Sequence, residues 1–379
     1  MDDFRKLSKL HKMKTMRKSA YYFLTILVLM AISCSTKQPN QTNTLNILVG
    51  TYTDNNESQG VYLYEFDTET AGSKLLDTAA AGNPSFIIAS EDRNFAYAVS
   101  EYMDDRQGVY SFTLGDGSVD LLNYVQDGCA GPCNIVIAGG NALTADYGGG
   151  TLSAFPVLED GSVGKMSFQF VPEKDGDTKS HIHCTAVSPD GKYIFVTDLG
   201  ADAIYRATVV EGSAPVDFVT AYKFDAAVHP GPRHLTFSQD GRFAYLLGEP
   251  GDCLSVFKYQ DGTLQHISTQ KAYDADGRGS ADIHISPDGR FVYTSHRLKG
   301  DGIAVFSRNA DDGSVENVGF CPTGKHPRNF AITPDGRWLL CACRDDNRIE
   351  VYSIDKETGM LSAVGKTIDV PAPVCICIY

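Results

Sequence analysis

Four ionisable residues stand out by type and by spacing: His183, Arg233, Glu249 and Arg297. His183 and Arg233 lie 50 residues apart, and Glu249 and Arg297 lie 48 apart. A guanidinium is a permanently charged, planar fork of donors that grips a carbonyl oxygen or an anion. An imidazole or carboxylate within reach of a water molecule can take its proton. Together the four suit a site that clamps an anionic or carbonyl-bearing molecule and moves a proton beside it. The flanking residues sharpen this. HPGPRHL (229–235) packs two His, two Pro and an Arg into one turn. Proline fixes φ, so that loop is stiff and holds Arg233 in place. SHIHC (180–184) puts two imidazoles two residues apart in an extended segment. Register favours His183 for the site, leaving His181 as a supporting or solvent-facing residue. The plain alternative at each position is a solvated loop residue or a local salt bridge.

The elements that must position these groups are repeats. CTAVSPDGKY (184–193) recurs as HLTFSQDGRF (234–243), DIHISPDGRF (282–291) and NFAITPDGRW (329–338), with a weaker copy, SFIIASEDRNF, at 85–95. Each is an apolar run, a turn on Asp-Gly or its remnant, and a second apolar run. Asp and Gly tolerate the positive φ of tight hairpin turns, so each copy reads as a β-hairpin. Asp92, Asp190, Asp240, Asp288 and Asp335 are separated by 98, 50, 48 and 47 residues. The first gap holds a degenerate copy, CNIVIAGGNALTADY (133–147). A period near 48 made of strands and turns means a propeller or solenoid array.

Second strands are predicted to begin near 95, 142, 193, 243, 291 and 338, and NILVGTYT (46–53) is a seventh that lacks a first strand ahead of it. VCICIY (374–379) matches a first strand with nothing after it. Third strands fall at 60–67, 108–114, 150–157, 202–209, 252–259, 301–308 and 347–354, each followed by a weaker fourth. The fold class is therefore all-β: a seven-bladed β-propeller of four-stranded antiparallel blades, closed by pairing the C-terminal strand with the N-terminal blade. In that topology the loops into first strands and out of second strands share one face. Taken in register, the first set is Ser85, Cys133, His183, Arg233, Ala281 and Arg328. The second includes Thr53, Glu101, Leu199, Glu249, Arg297 and Arg344. Charged and imidazole groups from different blades converge on a central funnel, which is a site expectation.

GTYT (50–53), NPSFI (83–87), SHIH (180–183), HPGPRH (229–234), ADIHISPDGRFVYTSHR (281–297), GKHPRNFAITPDGRWLL (324–340) and the D-x-x-TG-x-L turn at 355–361 give the chain a resemblance. Over about 46–379 it resembles the lactonase family of seven-bladed propellers, which includes propeller-type 6-phosphogluconolactonases and carboxymuconate-lactonising enzymes. The resemblance implies catalytic roles for His183, Arg233, Glu249 and Arg297. His181, His234, Arg328 and Glu101 are expected to contact substrate. One blade, 133–157, departs from the pattern: it lacks the PDG turn and is Gly-rich at 148–150.

Opening a lactone requires a polarised carbonyl, an activated water and stabilisation of the tetrahedral oxyanion. The sequence shows no serine nucleophile elbow and no metal motif, so a cofactor-free route is expected. Arg233 and Arg297 would bind the carbonyl oxygen and a substrate anion, with His183 or Glu249 as base and the other orienting it. Two alternatives stay open: a lactonising isomerase running ring closure on a carboxylated substrate, and a non-catalytic exported propeller that binds sugar or protein at its rim. Six-bladed, calcium-dependent gluconolactonases fit less well, because seven blades are counted and no acidic cage is visible.

Residues 1–34 read as targeting. Arg17 and Lys18 precede the apolar run 20–32, and Ala31-Ile32-Ser33-Cys34 follows, the pattern of an exported bacterial lipoprotein with lipid on Cys34. A plain cleaved signal or a single anchor helix is the alternative, and residues 35–45 read as a flexible tether. Removing 1–33 takes away seven Lys/Arg and two Asp/Glu, leaving 33 − 7 = 26 basic and 47 − 2 = 45 acidic residues, a formal charge of −19. Nucleic acid is thereby disfavoured as a partner, and an anionic lactone must be met by local Arg and His against the overall field. The membrane is expected only through the lipid anchor, and the closed ring predicts a monomer. Cys341/Cys343 and Cys375/Cys377, at i, i+2, are predicted to share a sheet face as buried residues. Cys129 and Cys133 flank a Gly-Pro turn and leave a bridge between them open.

Overall fold

Each repeat folds as a four-stranded antiparallel sheet whose strands run outward in sequence order. In the fifth these are Pro232–Phe237, Phe243–Gly248, Cys253–Gln260 and Thr263–Lys271. The second strand is buried along its whole length, whereas the outermost alternates between buried and exposed residues. That contrast follows from packing: inner strands are covered on both faces by neighbouring blades, and the outermost strand meets water on its edge. The computed structural model describes residues 43–127, 130–173, 176–225, 228–273 and 277–379. The expectations for Cys34, for the targeting segment, for most of the tether and for Cys129 lie outside them.

Among the described residues seven such sheets are present, and their innermost strands neighbour one another around a complete ring. Six blades are built from consecutive strands. The seventh is assembled from both ends of the domain: Pro373–Ile378 pairs with Thr44–Thr51 through Ile47↔Ile378, Leu48↔Cys377, Val49↔Ile376 and Gly50↔Cys375. The first strand starts at Thr44 rather than at 46, because Thr44 and Leu45 already pair with Asp67 and Phe66. In the blade that lacks PDG, Ala138 pairs with Asn141 across Gly139 and Gly140, both at positive φ, and the fourth strand, Phe168–Phe170, is only three residues long.

The core is divided among seven apolar clusters, one in each gap between adjacent blades. Aromatic residues such as Phe112, Phe155, Phe257 and Phe306 are completely buried there. Each contributes about 1.5–3 kcal/mol relative to an exposed side chain. As predicted, Cys341 and Cys343 are buried in one cluster; Cys375 is buried in another, and Cys377 packs against that one but is only half-buried. Blades are also locked by an aromatic at the start of the second strand. Phe291 packs so closely on Gly359 of the next blade that a β-carbon there would come within 2.4 Å of the ring, and Gly359 sits at φ +74°.

The recurrent Asp of the PDG turns does something other than adopt positive φ; only the glycine does that. In Ser188-Pro189-Asp190-Gly191 the Ser188 hydroxyl donates to Asp190 at 2.7 Å, and Lys192 N–H donates to the same oxygen. Ser238/Asp240, Ser286/Asp288, Thr333/Asp335 and Ser90/Asp92 repeat the hydroxyl–carboxylate bond. These turns are structural, and they lie at the far end of the strands from the residues of interest.

Deleting residues 373–379 removes the inner strand of the composite blade and takes Cys375 and Ile376 out of two interblade clusters. The truncated protein is expected to lose its cooperative thermal transition; a melting curve matching that of the full chain would contradict the closure.

Candidate active site at the propeller mouth

The inner strands carry an irregularity at one equivalent position. Pairing skips Cys133, His183, Arg233, the pair Ala281–Asp282, Arg328 and Val374. A β-bulge of this kind kinks its strand and re-aims the side chain of the extra residue. The residue following each second strand is fixed just as regularly. Tyr52, Tyr147, Leu199, Glu249, Arg297 and Arg344 each donate a backbone N–H to the carbonyl two residues before the bulge position of the same blade, and Glu101 donates to Asn83 O, two residues before Ser85, in the blade whose short inner strand Ile87–Ala89 pairs without a bulge. The two registers read from sequence are therefore real structural positions. Two entries in the second register change: it is Tyr52, not Thr53, that occupies the position, and Tyr147 joins the set. Thr53 instead buttresses the loop by donating its backbone N–H to Asn83 Oδ1 at 2.7 Å.

The side chains from these positions form one network. Glu249 bridges two buried guanidiniums: Arg233 Nε donates to Oε2 at 2.9 Å and Arg297 Nη2 to Oε1 at 2.8 Å. Arg297 is held further by Gly279 O at 3.1 Å and His326 Nε2 at 3.3 Å. Arg233 Nη1 donates to Ala281 O and to His234 Nε2, the latter at 3.1 Å. Arg233 Nη2 has no protein partner among the described residues. The His183 ring lies edge-on to His234, with centroids 5.3 Å apart, and to Tyr147 at 5.8 Å. Its Nδ1 is buried without a hydrogen-bond partner. Arg328 faces Glu101 at 3.6 Å and lies 5.4 Å from the Tyr52 ring centre. Its guanidinium makes no hydrogen bond to another described residue. Tyr52 Oη reaches both carboxylate oxygens of Glu101, at 3.2 and 3.1 Å.

The four predicted residues, His183, Arg233, Glu249 and Arg297, are thus brought together, and Arg328 and Glu101 join them. His181 stacks on Tyr147 with centroids 4.4 Å apart, and its Nδ1 lies 2.8 Å from Tyr147 O, so it supports the mouth rather than lining it. His234 differs from the expectation of a substrate contact: it is buried and both ring nitrogens are taken, one by Arg233 and one by Asp282. The Cys133 thiol is free and donates to His183 O. Missed by sequence reasoning were Tyr147 and Asp282. Tyr147 sits in the blade without a PDG marker, and Asp282 shares a two-residue bulge with Ala281.

Three arginines and two glutamates leave the mouth one positive charge in excess. Burial alone would raise Glu249, but Arg233, Arg297 and Arg328 together pull its carboxyl below the ordinary range. Burial, followed by Arg233, His234 and the other two arginines, holds His183 well below the usual imidazole value. It is therefore neutral at pH 7. His183, Arg233 and Arg297 are 5, 2 and 4% exposed, so only their edges meet solvent. A separate cleft of about 390 Å³ lies beside Gly150, Lys179, Tyr205 and Lys223, and none of the network residues described above lines it.

A family model described as Lactonase, 7-bladed beta-propeller matches residues 46–378. A 6-phosphogluconolactonase of Formosa agariphila is 32% identical over 331 residues, covering 83% of this chain and 94% of that one. A solved Bacteroides fragilis structure, described as a candidate 6-phosphogluconolactonase, superimposes with a TM-score of 0.85. It is 39% identical and covers 90% of this chain and all of its own. A periplasmic gluconolactonase from Pseudomonas aeruginosa superimposes at 0.79 with 26% identity, covering 89% of this chain and 99% of its own.

Burial also holds His234 down at about 4, and His296 and His326 at about 3. Unfolding lets all four of these imidazoles protonate near 6.5. Below that pH the unfolded state binds more protons, so stability must fall as pH drops toward 4, by up to about 1.4 kcal/mol per pH unit per imidazole. Asp282, also depressed, works in the same direction at lower pH; His284, raised by Asp282, opposes it. Urea midpoints at pH 7, 6 and 5 are expected to decline steadily; a flat series would contradict the buried neutral imidazoles.

Proposed function

Because the chain belongs to the family of seven-bladed β-propeller lactonases, we propose that it hydrolyses a sugar-acid lactone at the mouth of the propeller. The observation that carries this is the pairing of Glu249 with two buried arginines beside an unpartnered, neutral His183. Glu249 has both oxygens occupied, which makes it the clamp that orients Arg233 and Arg297. The base is then His183. It takes a proton from water as the water adds to the lactone carbonyl, while the guanidinium edges of Arg233 and Arg328 meet the developing oxyanion and the substrate's own negative group. As the tetrahedral intermediate collapses, the ring oxygen leaves and takes the proton back from His183; the new carboxylic acid then gives its own proton to solvent, and the open aldonate departs. No covalent enzyme intermediate is needed.

The substrate is a six-carbon aldonolactone, and the excess positive charge at the mouth supports one bearing a phosphate, as on 6-phosphogluconolactone. The Formosa relative's name agrees with that choice, and the Pseudomonas relative's name offers an unphosphorylated lactone in an exported setting. For this chain we hold to export with lipid on Cys34, which the Arg17–Cys34 pattern supports.

His183→Gln and Arg233→Gln, assayed separately by proton release, are each expected to lower kcat by at least tenfold, about 1.4 kcal/mol in the barrier. If both variants turn over at the wild-type rate, the assignment fails. The acid limb of kcat/KM is expected below the ordinary imidazole range, because His183 is depressed. Arg328→Gln is expected to raise KM at least tenfold for 6-phosphogluconolactone and little for gluconolactone; equal effects on both would place the phosphate elsewhere. For export, cells fed labelled palmitate are expected to label the wild-type chain and not Cys34→Ser, and an unlabelled wild type would remove the anchor.

A further inference from the structure

A buried carboxylate lies behind Arg233, linked to it through His234. Asp282 is 3% exposed and sits in the two-residue bulge of the sixth inner strand. Its Oδ1 accepts from His234 Nδ1 at 2.8 Å and from its neighbour Ile283 N–H at 3.0 Å. Its Oδ2 accepts from His284 Nε2 at 2.9 Å, Asn329 Nδ2 at 2.6 Å and Phe330 N–H at 3.3 Å. Five donors from three blades therefore converge on one group.

The tautomer of His234 follows. An ionised carboxylate only accepts, so His234 Nδ1 carries a proton. Arg233 Nη1 only donates, so the opposite nitrogen, Nε2, is bare and accepts from it at 3.1 Å. With Nη1 anchored on His234 and Ala281 O, and Nε on Glu249, Arg233 has a single orientation, with Nη2 left unpartnered. His234 is also wedged against Phe86 from across the ring, centroids 6.2 Å apart, so the ring cannot easily turn to offer another edge.

We propose that Asp282 is a positioning residue for lactone hydrolysis: by holding His234 as its Nδ1–H tautomer, it lets Arg233 dock on Nε2 and present its remaining donor to the reacting carbonyl. The proposal rests on the lactonase function above for its kinetic part; its structural part does not.

Asp282→Asn tests it, because the amide has one accepting and one donating end. Three donors face Oδ2 and two face Oδ1, so the oxygen of the new side chain belongs on the Oδ2 side and its NH₂ then points at His234. That forces a proton onto His234 Nε2, aimed at a guanidinium that can only donate. The ¹⁵N signals of His234 are expected to show the Nδ1–H form in the wild type and the Nε2–H form in Asp282→Asn. The kcat for lactone hydrolysis is expected to fall at least tenfold with KM changed less than threefold. His284→Gln keeps a donor on Asp282 away from Arg233 and is expected to stay within about twofold of wild-type kcat, even if its melting point drops. A wild-type His234 found as Nε2–H, or as imidazolium at pH 7, overturns the proposal whether or not the variant folds. So does an Asp282→Asn protein that keeps its tautomer and rate, or an equal kcat loss in His284→Gln, which would mark a merely structural carboxylate. The tautomer needs no turnover to be read, so a wild type inactive on every lactone overturns the lactonase function separately.

Discussion

One backbone irregularity governs everything at the mouth: an extra residue near the start of the inner strands. The scaffold there is nearly invariant, since in six blades the residue after the second strand donates to a carbonyl two positions before that residue, and in the remaining blade it donates to Asn83 O, two before Ser85. The side chain is free to vary because it is excluded from the ladder. Val374, Ala281 and Cys133 occupy it without charge, while His183, Arg233 and Arg328 bring an imidazole and two guanidiniums to the same axis. Chemistry is thus separated from fold by construction, which is how one architecture can carry different sites. The arrangement exists only because the last strand completes the ring, so the terminal strand pairing is a condition of the site as well as of stability.

Burying three arginines together is costly unless their charges are met. Glu249 meets two of them with one hydrogen bond per oxygen, and Glu101 meets the third at longer range. The unequal distances matter. Arg233 and Arg297 are fixed, whereas Arg328 keeps its donors for something else. Burial, together with the same positive surroundings, keeps His183 neutral, and neutrality is the state a base requires. Asp282 extends this logic one layer down, spending a fully solvated-by-protein carboxylate to decide which edge of His234 faces Arg233.

The period, the strand count and the closure were legible in the sequence because they rest on local signals that repeat. The third strands at Gly60–Asp67 and Gly108–Leu114 match the predicted 60–67 and 108–114 to the residue. His183, Arg233, Glu249 and Arg297 were legible because a position held by different charged residues in successive repeats departs from a scaffold pattern. Tyr52 was missed by one residue, since GTYT carries no turn marker to set the count. The role of the repeated Asp was misjudged because a Ser or Thr two residues ahead of it, always present, was not connected with it. Asp282 could not be reached at all: its partners His234, Asn329 and Phe330 lie 47 or 48 residues away, and a two-residue bulge hides its register.

The central claim is that the bulge residues and their neighbours form the place where a lactone is opened. A crystal structure of the protein soaked with 6-phosphogluconate, the hydrolysis product, tests this most directly. The account predicts the product in the mouth, its new carboxylate against Arg233 and His183 and its phosphate at Arg328. Product bound at the opposite face among the Asp-Gly turns, or in the outer cleft beside Gly150 and Lys179, would contradict it.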